Sequence, residues 1–185
     1  TRQGARANLG ELECRMHRPQ GRTMILQHRP VKADDIKTIC SFPLNARELF
    51  YMFPKAQYPL TEAQLSNAIT QRFDSTVVET RNSVIGFANF YRAETGGVCC
   101  IGNVIVAQEA RGKGVATFIV ETMTALAFDR YDATEVQVSC FNENTAGLLL
   151  YPRLGFLPFA VEERISLDSR RSALIHMTRS RVGHP

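Results

Sequence analysis

The segment from Val104 to Ala116, VIVAQEARGKGVA, joins an apolar run to a helical pattern through two closely spaced glycines. Such a turn can bind an anion, because the backbone amides of the turn and of the first helical turn have no partner within the helix. Gly112 and Gly114 permit a positive φ and the close approach of a ligand, and Arg111 and Lys113 add positive charge. The segment therefore predicts a phosphate-binding turn.

Three phosphate-binding arrangements compete for this turn. A P-loop needs Ser or Thr after its Gly-Lys pair to bind magnesium, whereas Lys113 is followed by Gly114. A dinucleotide fingerprint needs a third glycine, and Thr117 occupies that place. The pattern that remains, Arg-x-x-Gly-x-Ala, is formed by Arg111, Gly114 and Ala116. An ordinary strand-to-helix turn with two glycines stays open as an alternative for this segment alone.

A second group of residues follows the next predicted strand. Asn144, Gly147 and Tyr151 precede the pair Gly155-Phe156. Asn144 and Tyr151 are seven positions apart, which is two helical turns and places both on one face of a helix. In this order the two groups resemble the GNAT family of N-acetyltransferases, in which an Arg-x-x-Gly-x-Ala loop binds the acyl-CoA pyrophosphate and an Asn-x-x-Ala…Leu-Tyr-x-x-x-Gly-Phe pattern follows. Gly147 stands where that pattern has alanine.

The elements that must position these residues are predicted from hydrophobic periodicity. Apolar and β-branched runs predict strands at 24–28, 76–79, 84–91, 98–107, 135–141, 157–165 and 173–178. Capping residues and helical spacing predict helices at 32–40, 45–53, 61–73, 115–127 and from about 144. Three successive strands without a helix between them predict antiparallel pairing in the middle of the chain.

The element order and the resemblance indicate an α/β fold of the α+β type. We expect one GNAT-like domain at residues 24–180, with a mixed, mostly antiparallel central sheet flanked by helices. Residues 1–23 have no apolar periodicity and contain Gly4, Gly10, Pro19 and Gly21, so we expect a flexible N-terminal extension. Residues 181–185 are expected to form a short tail.

The resemblance implies that acetyl-CoA is the co-substrate and that no metal ion takes part. The residues implied to bind it are Val104, Ile105, Val106, Arg111, Gly112, Lys113, Gly114, Val115, Ala116, Thr117 and Asn144. Backbone N–H groups near Val104–Val106 are implied to stabilise the oxyanion, and Tyr151 is implied to donate a proton or hydrogen bond to the departing thiolate. The alternative for Tyr151 is an aromatic ring that packs under the Gly155-Phe156 turn.

The base that accepts the proton of the amine is less defined. No Asp or Glu lies in 98–107, where some family members keep one, and Asn103 stands there instead. Asn103 cannot take a proton, but it can hold a water or the amine. Glu79 and Glu94, on neighbouring strands, are candidate bases that can equally be surface acids, and a water relay is a further alternative.

Pro152 departs from the family pattern. It directly follows Tyr151, removes a backbone N–H and clashes with the carbonyl of Leu148. We therefore expect the helix to end or bend at Leu150–Tyr151 and the phenol to point differently from the family norm.

Charge argues against a nucleic-acid-binding function. Lys and Arg total 22 against 18 Asp and Glu, and the excess lies at the ends of the chain. Residues 1–23 hold five Arg and two Glu, and residues 169–185 hold four Arg and no acidic residue. The body between them is slightly acidic, whereas a nucleic-acid-binding domain concentrates Lys and Arg on its folded surface.

Cysteine usage and hydropathy indicate the compartment. The five cysteines, at 14, 40, 99, 100 and 140, form no C-x-x-C pair, and no His stands at metal-ligand spacing from them. No apolar run approaches the roughly 18 residues that a membrane span needs, and no signal-like stretch follows the basic N-terminus. We expect a cytoplasmic protein with free thiols, no metal and no membrane association.

Together these observations predict an N-acetyltransferase that transfers an acetyl group from acetyl-CoA to a primary amine of a small molecule or peptide by direct attack. A homodimer is allowed for. The alternative is a non-catalytic acyl-CoA-binding sensor or interaction module, which the missing strand acid and Pro152 keep open.

Overall fold

The computed structural model describes residues 24–81 and 83–181, so the predicted extension at 1–23 and most of the predicted tail lie outside the described residues. The strands are β1 (Gln27–Pro30), β2 (Phe73–Thr80), β3 (Ser83–Ala93), β4 (Val98–Val106), β5 (Glu135–Phe141), β6 (Leu157–Ile165) and β7 (Arg171–Ser180). The helices are α1 (Ile36–Cys40), α2 (Ala46–Met52), α3 (Glu62–Thr70), α4 (Val115–Arg130) and α5 (Thr145–Arg153).

The strands form one sheet in the order β1-β2-β3-β4-β5-β7-β6. Among the described strands only β4 and β5 pair in parallel, and the other neighbours are antiparallel. A parallel pair needs a crossover connection, and α4 provides it. The mixed, mostly antiparallel sheet and the antiparallel β2–β3–β4 meander are therefore confirmed.

Helices cover both faces of the sheet. Cys140 of β5 lies against Gly147 of α5, and Arg179 of β7 bonds Glu121 of α4. Phe141, the next residue of β5, points to the opposite face and contacts Phe50 of α2 at 4.5 Å between ring centroids. The helices α4 and α5 therefore cover one face of the sheet, and α2 covers the other.

The core lies between the sheet and these helices. Its largest fully buried side chains include Phe87, Phe90, Phe156 and Met123. Cys99, Cys100 and Cys140 are buried within strands as free thiols. Within the described residues, no helix combines the length and apolar content needed to cross a bilayer.

The first strand is shifted from its predicted position. The sequence predicts 24–28, whereas β1 comprises Gln27–Pro30 and pairs with residues 76–79 of β2. Met24 and Leu26 pack against the core without a ladder partner. Their apolar character reflects burial of side chains rather than strand pairing. Pro30 is tolerated as the last residue of this edge strand.

Candidate active site

The parallel pairing of β4 with β5 covers only the first half of β4. Residues 98–101 pair with residues 135–138, and beyond them β4 has no partner on the β5 side among the described residues. The register with β3 also shifts next to Gly102, which marks a β-bulge. The edge of β4 at 102–106 therefore leaves backbone groups available to a ligand.

The glycine-rich turn follows β4, after a 3₁₀ turn at Gln108–Ala110. Gly112 and Gly114 have φ values of +72° and +83°, which L side chains rarely adopt, and a Cβ at either would meet no atom within 4 Å. No amide from Gly112 to Thr117 has an acceptor among the described residues, and the first bond of α4 runs from the N–H of Phe118 to Gly114, at 2.9 Å. We call residues 112–117 the cradle: a row of unpaired N–H groups at the positive end of α4.

Other residues predicted to bind the co-substrate surround the cradle. Val115 is buried and holds α4 to the core, Ala116 is half-buried, and Lys113 and Thr117 are exposed. Lys113 forms no ion pair within the described part of the chain and can add charge to the cradle.

Arg111, which the sequence predicts to bind the co-substrate, pairs with α2 and β4 in this structure. Its guanidinium makes a bidentate pair with Glu48 of α2, at 2.8 and 2.9 Å, and its Nε donates to the carbonyl of Val106 at 3.1 Å. The pair raises the pKa of Arg111 and lowers the pKa of Glu48. Arg111 therefore positions the turn by tying it to β4 and α2, because its N–H groups are already satisfied there.

The helix does not end at Leu150–Tyr151, which was one of the two outcomes expected from Pro152. The helix α5 runs to Arg153 with Pro152 inside its last turn. Gly155 has a φ of +82°, its N–H donates to Pro152 at 3.1 Å, and the N–H of Phe156 donates to Tyr151 at 3.1 Å. These bonds form a Schellman motif, which holds the helical turn in place despite the N–H that proline lacks.

Tyr151 consequently remains on the inner face of α5. It is 7% exposed, its ring meets that of Phe156 edge to face at 6.0 Å, and Cys140 lies nearby. Burial raises the pKa of Tyr151 well above its ordinary value, so the phenol is protonated at physiological pH. The ring packs as the alternative interpretation expects, and this packing leaves a protonated hydroxyl available to donate.

Asn144 caps α5 rather than standing free. Its side-chain oxygen accepts the N–H of Gly147 at 3.1 Å. Gly147 lies between Asn144 and Tyr151, which share one face as predicted, and a Cβ on it would lie 2.7 Å from the sulfur of Cys140. The Cys140 thiol thus fills the space that an alanine at position 147 would need.

The profile of the acetyltransferase (GNAT) family matches residues 42–156. The chain belongs to the GNAT family. A search of curated proteins gave no significant match.

Solved structures with the GNAT fold are similar over most of this chain. The ribosomal-protein-alanine N-acetyltransferase of Brucella melitensis has 18% identity and a TM-score of 0.70, covering 84% of this chain and 99% of that one. The spermidine N-acetyltransferase of Vibrio cholerae, in complex with CoA and spermine, has 18% identity and a TM-score of 0.72 over 84% of this chain and 95% of that one. A Salmonella typhimurium protein solved with its cofactor acetyl-CoA has 17% identity and a TM-score of 0.64 over 86% and 95%.

Asn103 lies in the bulge of β4 and contacts the end of α2. Its φ is +52° and its side chain is buried. Its Nδ2 donates to the carbonyl of Met52 at 2.8 Å, whereas its Oδ1 is buried without a partner among the described residues. A buried acceptor without a donor is costly unless a water or ligand supplies one, so Oδ1 can bind an N–H or O–H group at this position.

Glu79 is not brought together with Asn103 and Tyr151. It lies on β2, with β3 between it and β4, and accepts a bond from Arg29 at 2.8 Å. Glu94 is exposed and paired with Arg92. Each of the two carboxylates is paired with an arginine, as is typical of structural or surface acids.

A cavity of about 410 Å³ lies on the opposite face from α5, beside α2. Its lining residues are Asn45, Ala46, Arg47, Phe50, Tyr51, Glu143, Ser166, Leu167 and Asp168. Phe50 and Tyr51, two neighbouring aromatic residues of α2, are among them.

Sequence reasoning missed Glu48 and Glu143. Glu48 holds Arg111, and Glu143 lies at the end of β5 and accepts a 3.4 Å bond from Tyr51 in the cavity. The position of Glu143, directly before the N-cap Asn144 of α5, was a usable signal, because loops that follow strands often carry site residues. No local pattern pointed to Glu48, since its partner is far away in sequence.

Proposed function

We propose that this protein is an N-acetyltransferase that transfers the acetyl group of acetyl-CoA to a primary amine of a small molecule or peptide. The observation that carries the proposal is the cradle, whose unpaired amides at 112–117 continue from the unpaired edge of β4 at 102–106. The cradle fits a pyrophosphate, and the strand edge fits the amide-containing arm of CoA. Of the similar structures, one holds CoA and another acetyl-CoA.

When bound, acetyl-CoA supplies a thioester, whose carbonyl carbon the amine nitrogen attacks as the carbon–sulfur bond breaks. The backbone N–H groups of Val104–Val106 stabilise the negative charge that develops on the carbonyl oxygen. The hydroxyl of Tyr151 donates to the sulfur as it leaves, and burial keeps that hydroxyl protonated.

The proton lost by the amine leaves through water in this proposal. The free Oδ1 of Asn103 orients the amine or that water, and an amide can accept such a bond without changing its own charge. The acceptor reaches this position from the α2 face, where the cavity lined by Phe50 and Tyr51 opens. The neighbours named for spermidine and for a ribosomal-protein alanine support an amine acceptor.

The cradle is tested by Gly114→Asp, which places a side chain and a negative charge where the pyrophosphate would lie. Acetyl-CoA should raise the melting temperature of the wild type, because it binds only the folded state, and should not raise that of the variant. Gly96→Asp is a matched control, since Gly96 also has a positive φ, +69°, and open space around it, but lies in the turn between β3 and β4. A full thermal shift with Gly114→Asp would show that the cradle is not the binding site.

Activity is tested by CoA release from acetyl-CoA with a panel of primary amines. Turnover with any of them supports the enzyme. Binding of acetyl-CoA without turnover across the panel would instead indicate the sensor. Cytoplasmic location and homodimer formation remain predictions.

A further inference from the structure

Arg72 is a half-buried cation whose charge has no partner in the described structure. It follows α3 and precedes β2, and its Nη1 donates to the Oδ1 of Asn89 at 3.2 Å. Nine other arginines of the described chain pair with a carboxylate. The other described arginines without such a pair are Arg47, Arg81 and Arg153, and all three are exposed. Arg72 therefore differs from every other described arginine.

Aromatic rings hold the guanidinium in place. Its central carbon lies 5.6 Å from the ring centroid of Phe53 and 5.9 Å from that of Tyr91. Such stacking fixes the plane of the fork but does not neutralise its charge. Burial raises the pKa of Tyr91, so its phenol stays neutral, and burial lowers the pKa of Arg72, as expected for a cation without a counter-charge.

The fork lies beside the bulge of β4. A Cβ on Gly102 would be 2.9 Å from Nη1 of Arg72, so only glycine allows this approach. The next residue is Asn103, whose buried Oδ1 lacks a donor, and the Nδ2 of Asn89 is likewise buried and unpartnered. The remaining N–H groups of Arg72 have no acceptor among the described residues and are not sealed from solvent.

We propose that Arg72 and Asn89 form a carboxylate subsite, so that the acceptor is an amino acid or a closely related compound with a carboxylate next to its primary amine. This rests on the proposed function. The donors of Arg72 and Asn89 match the acceptor oxygens of a carboxylate, and Arg binds carboxylates in a bidentate manner. Gly102 and Asn103 are adjacent, so their Cα atoms are about 3.8 Å apart. A ligand whose carboxylate lies at Gly102 therefore has its neighbouring amine beside Asn103.

The test compares amino acids with their amides. CoA release by the wild type, Arg72→Gln and Arg72→Lys is assayed with eight amino acids, each beside its amide. The amino acids are glycine, alanine, leucine, phenylalanine, methionine, lysine, threonine and glutamate. The wild type should prefer the carboxylate form of its best acceptor by at least about tenfold in kcat/KM. Arg72→Gln should remove most of that preference through KM, and Arg72→Lys should retain part of it. Because the preference of each variant is divided by that of the wild type, the difference in basicity between an amino acid and its amide cancels.

Arg92→Gln is the control, since Arg92 lies near the same end of β3 but is exposed and paired with Glu94, so this variant should keep the preference. The acetyl-CoA thermal shift checks that each variant folds. An unchanged preference in Arg72→Gln, or turnover of the amides alone, overturns the subsite while leaving the enzyme standing.

A second readout does not need turnover. The Kd values of the N-acetylated amino acids and their amides are measured by calorimetry in the presence of CoA. Tighter binding of the carboxylate form, lost in Arg72→Gln, supports the subsite even if no acceptor in the panel is acetylated. Equal Kd values for both forms with the wild type overturn it.

Discussion

The cradle differs in construction from the region proposed to bind the acceptor, which we call the acceptor face. The cradle consists of backbone amides of consecutive residues, 112–117, and its side chains contribute little to its shape. The acceptor face combines side chains from separate parts of the chain, namely Phe50, Arg72 and Asn103, with the loop that follows β5. Consecutive backbone groups leave a local sequence pattern, whereas an assembly of distant side chains leaves none. The two regions should therefore respond differently to substitution.

The largest expected effect is at Tyr151, where the proposed reaction joins the two regions. Tyr151→Phe should lower kcat and kcat/KM together by about 10²–10⁴-fold, because the hydroxyl donates to the leaving sulfur mainly in the transition state. The Kd of acetyl-CoA should change by less than about tenfold. Steady-state kinetics and calorimetry with the same acceptor measure these quantities.

The stability of Tyr151→Phe separates the two interpretations of this residue. The ring keeps its edge-to-face contact with Phe156, so the free energy of unfolding should change by less than about 1 kcal/mol. A kcat within about threefold of the wild type would show that Tyr151 only packs under the Gly155-Phe156 turn.

A smaller effect, on stability alone, is expected outside both regions. Arg29 bridges Glu79 and Asp35, and the latter also accepts the N–H of Lys32 at 2.7 Å. These bonds lower the pKa of Asp35 below its ordinary value of 3.8, chiefly through Arg29. Asp35→Asn should therefore cost about 2 kcal/mol of unfolding free energy at pH 7.

The pH dependence of this cost has a defined sign. A depressed carboxylate pKa stabilises the fold fully above the unfolded value and loses that contribution as pH falls through the folded value. The difference between Asp35→Asn and the wild type should thus shrink below about pH 4 in urea titrations. The Kd of acetyl-CoA should not change in Asp35→Asn.

Glu79→Gln should leave the pH profile of kcat/KM unchanged, because Glu79 is paired with Arg29. An altered pH profile in this variant would show that Glu79 acts as the base.

The same contrast explains what the sequence could predict. The period-two runs gave the order of strands, and the turn at 112–114 and the Asn144–Phe156 pattern led to the family, because each signal is local. Pro152 was misjudged, since the Schellman bonds at Gly155 and Phe156 that retain the helix depend on the following turn. The pairing of Arg111 was not foreseen and Arg72 was overlooked for a shared reason. The direction of a long side chain depends on partners that lie far away in sequence, here Glu48 and Asn89.

The smallest expected effect comes from the pair that joins the two regions. Arg111 at the base of the cradle turn binds Glu48 of α2, the helix that lines the proposed acceptor cavity. Arg111→Gln should raise both the Kd of acetyl-CoA and the KM of the acceptor by about three- to tenfold, since it loosens both the turn and the helix. The cost in unfolding free energy should be about 1 kcal/mol, because the Arg111 side chain is 39% exposed and solvent weakens the pair.

If the effect comes from the pair, Glu48→Gln and the double variant should each match Arg111→Gln rather than add to it. Arg92→Gln, which breaks an exposed pair with Glu94, should change neither constant. A change confined to the Kd of acetyl-CoA would mean that Arg111 acts on the cradle alone and that the two regions are independent.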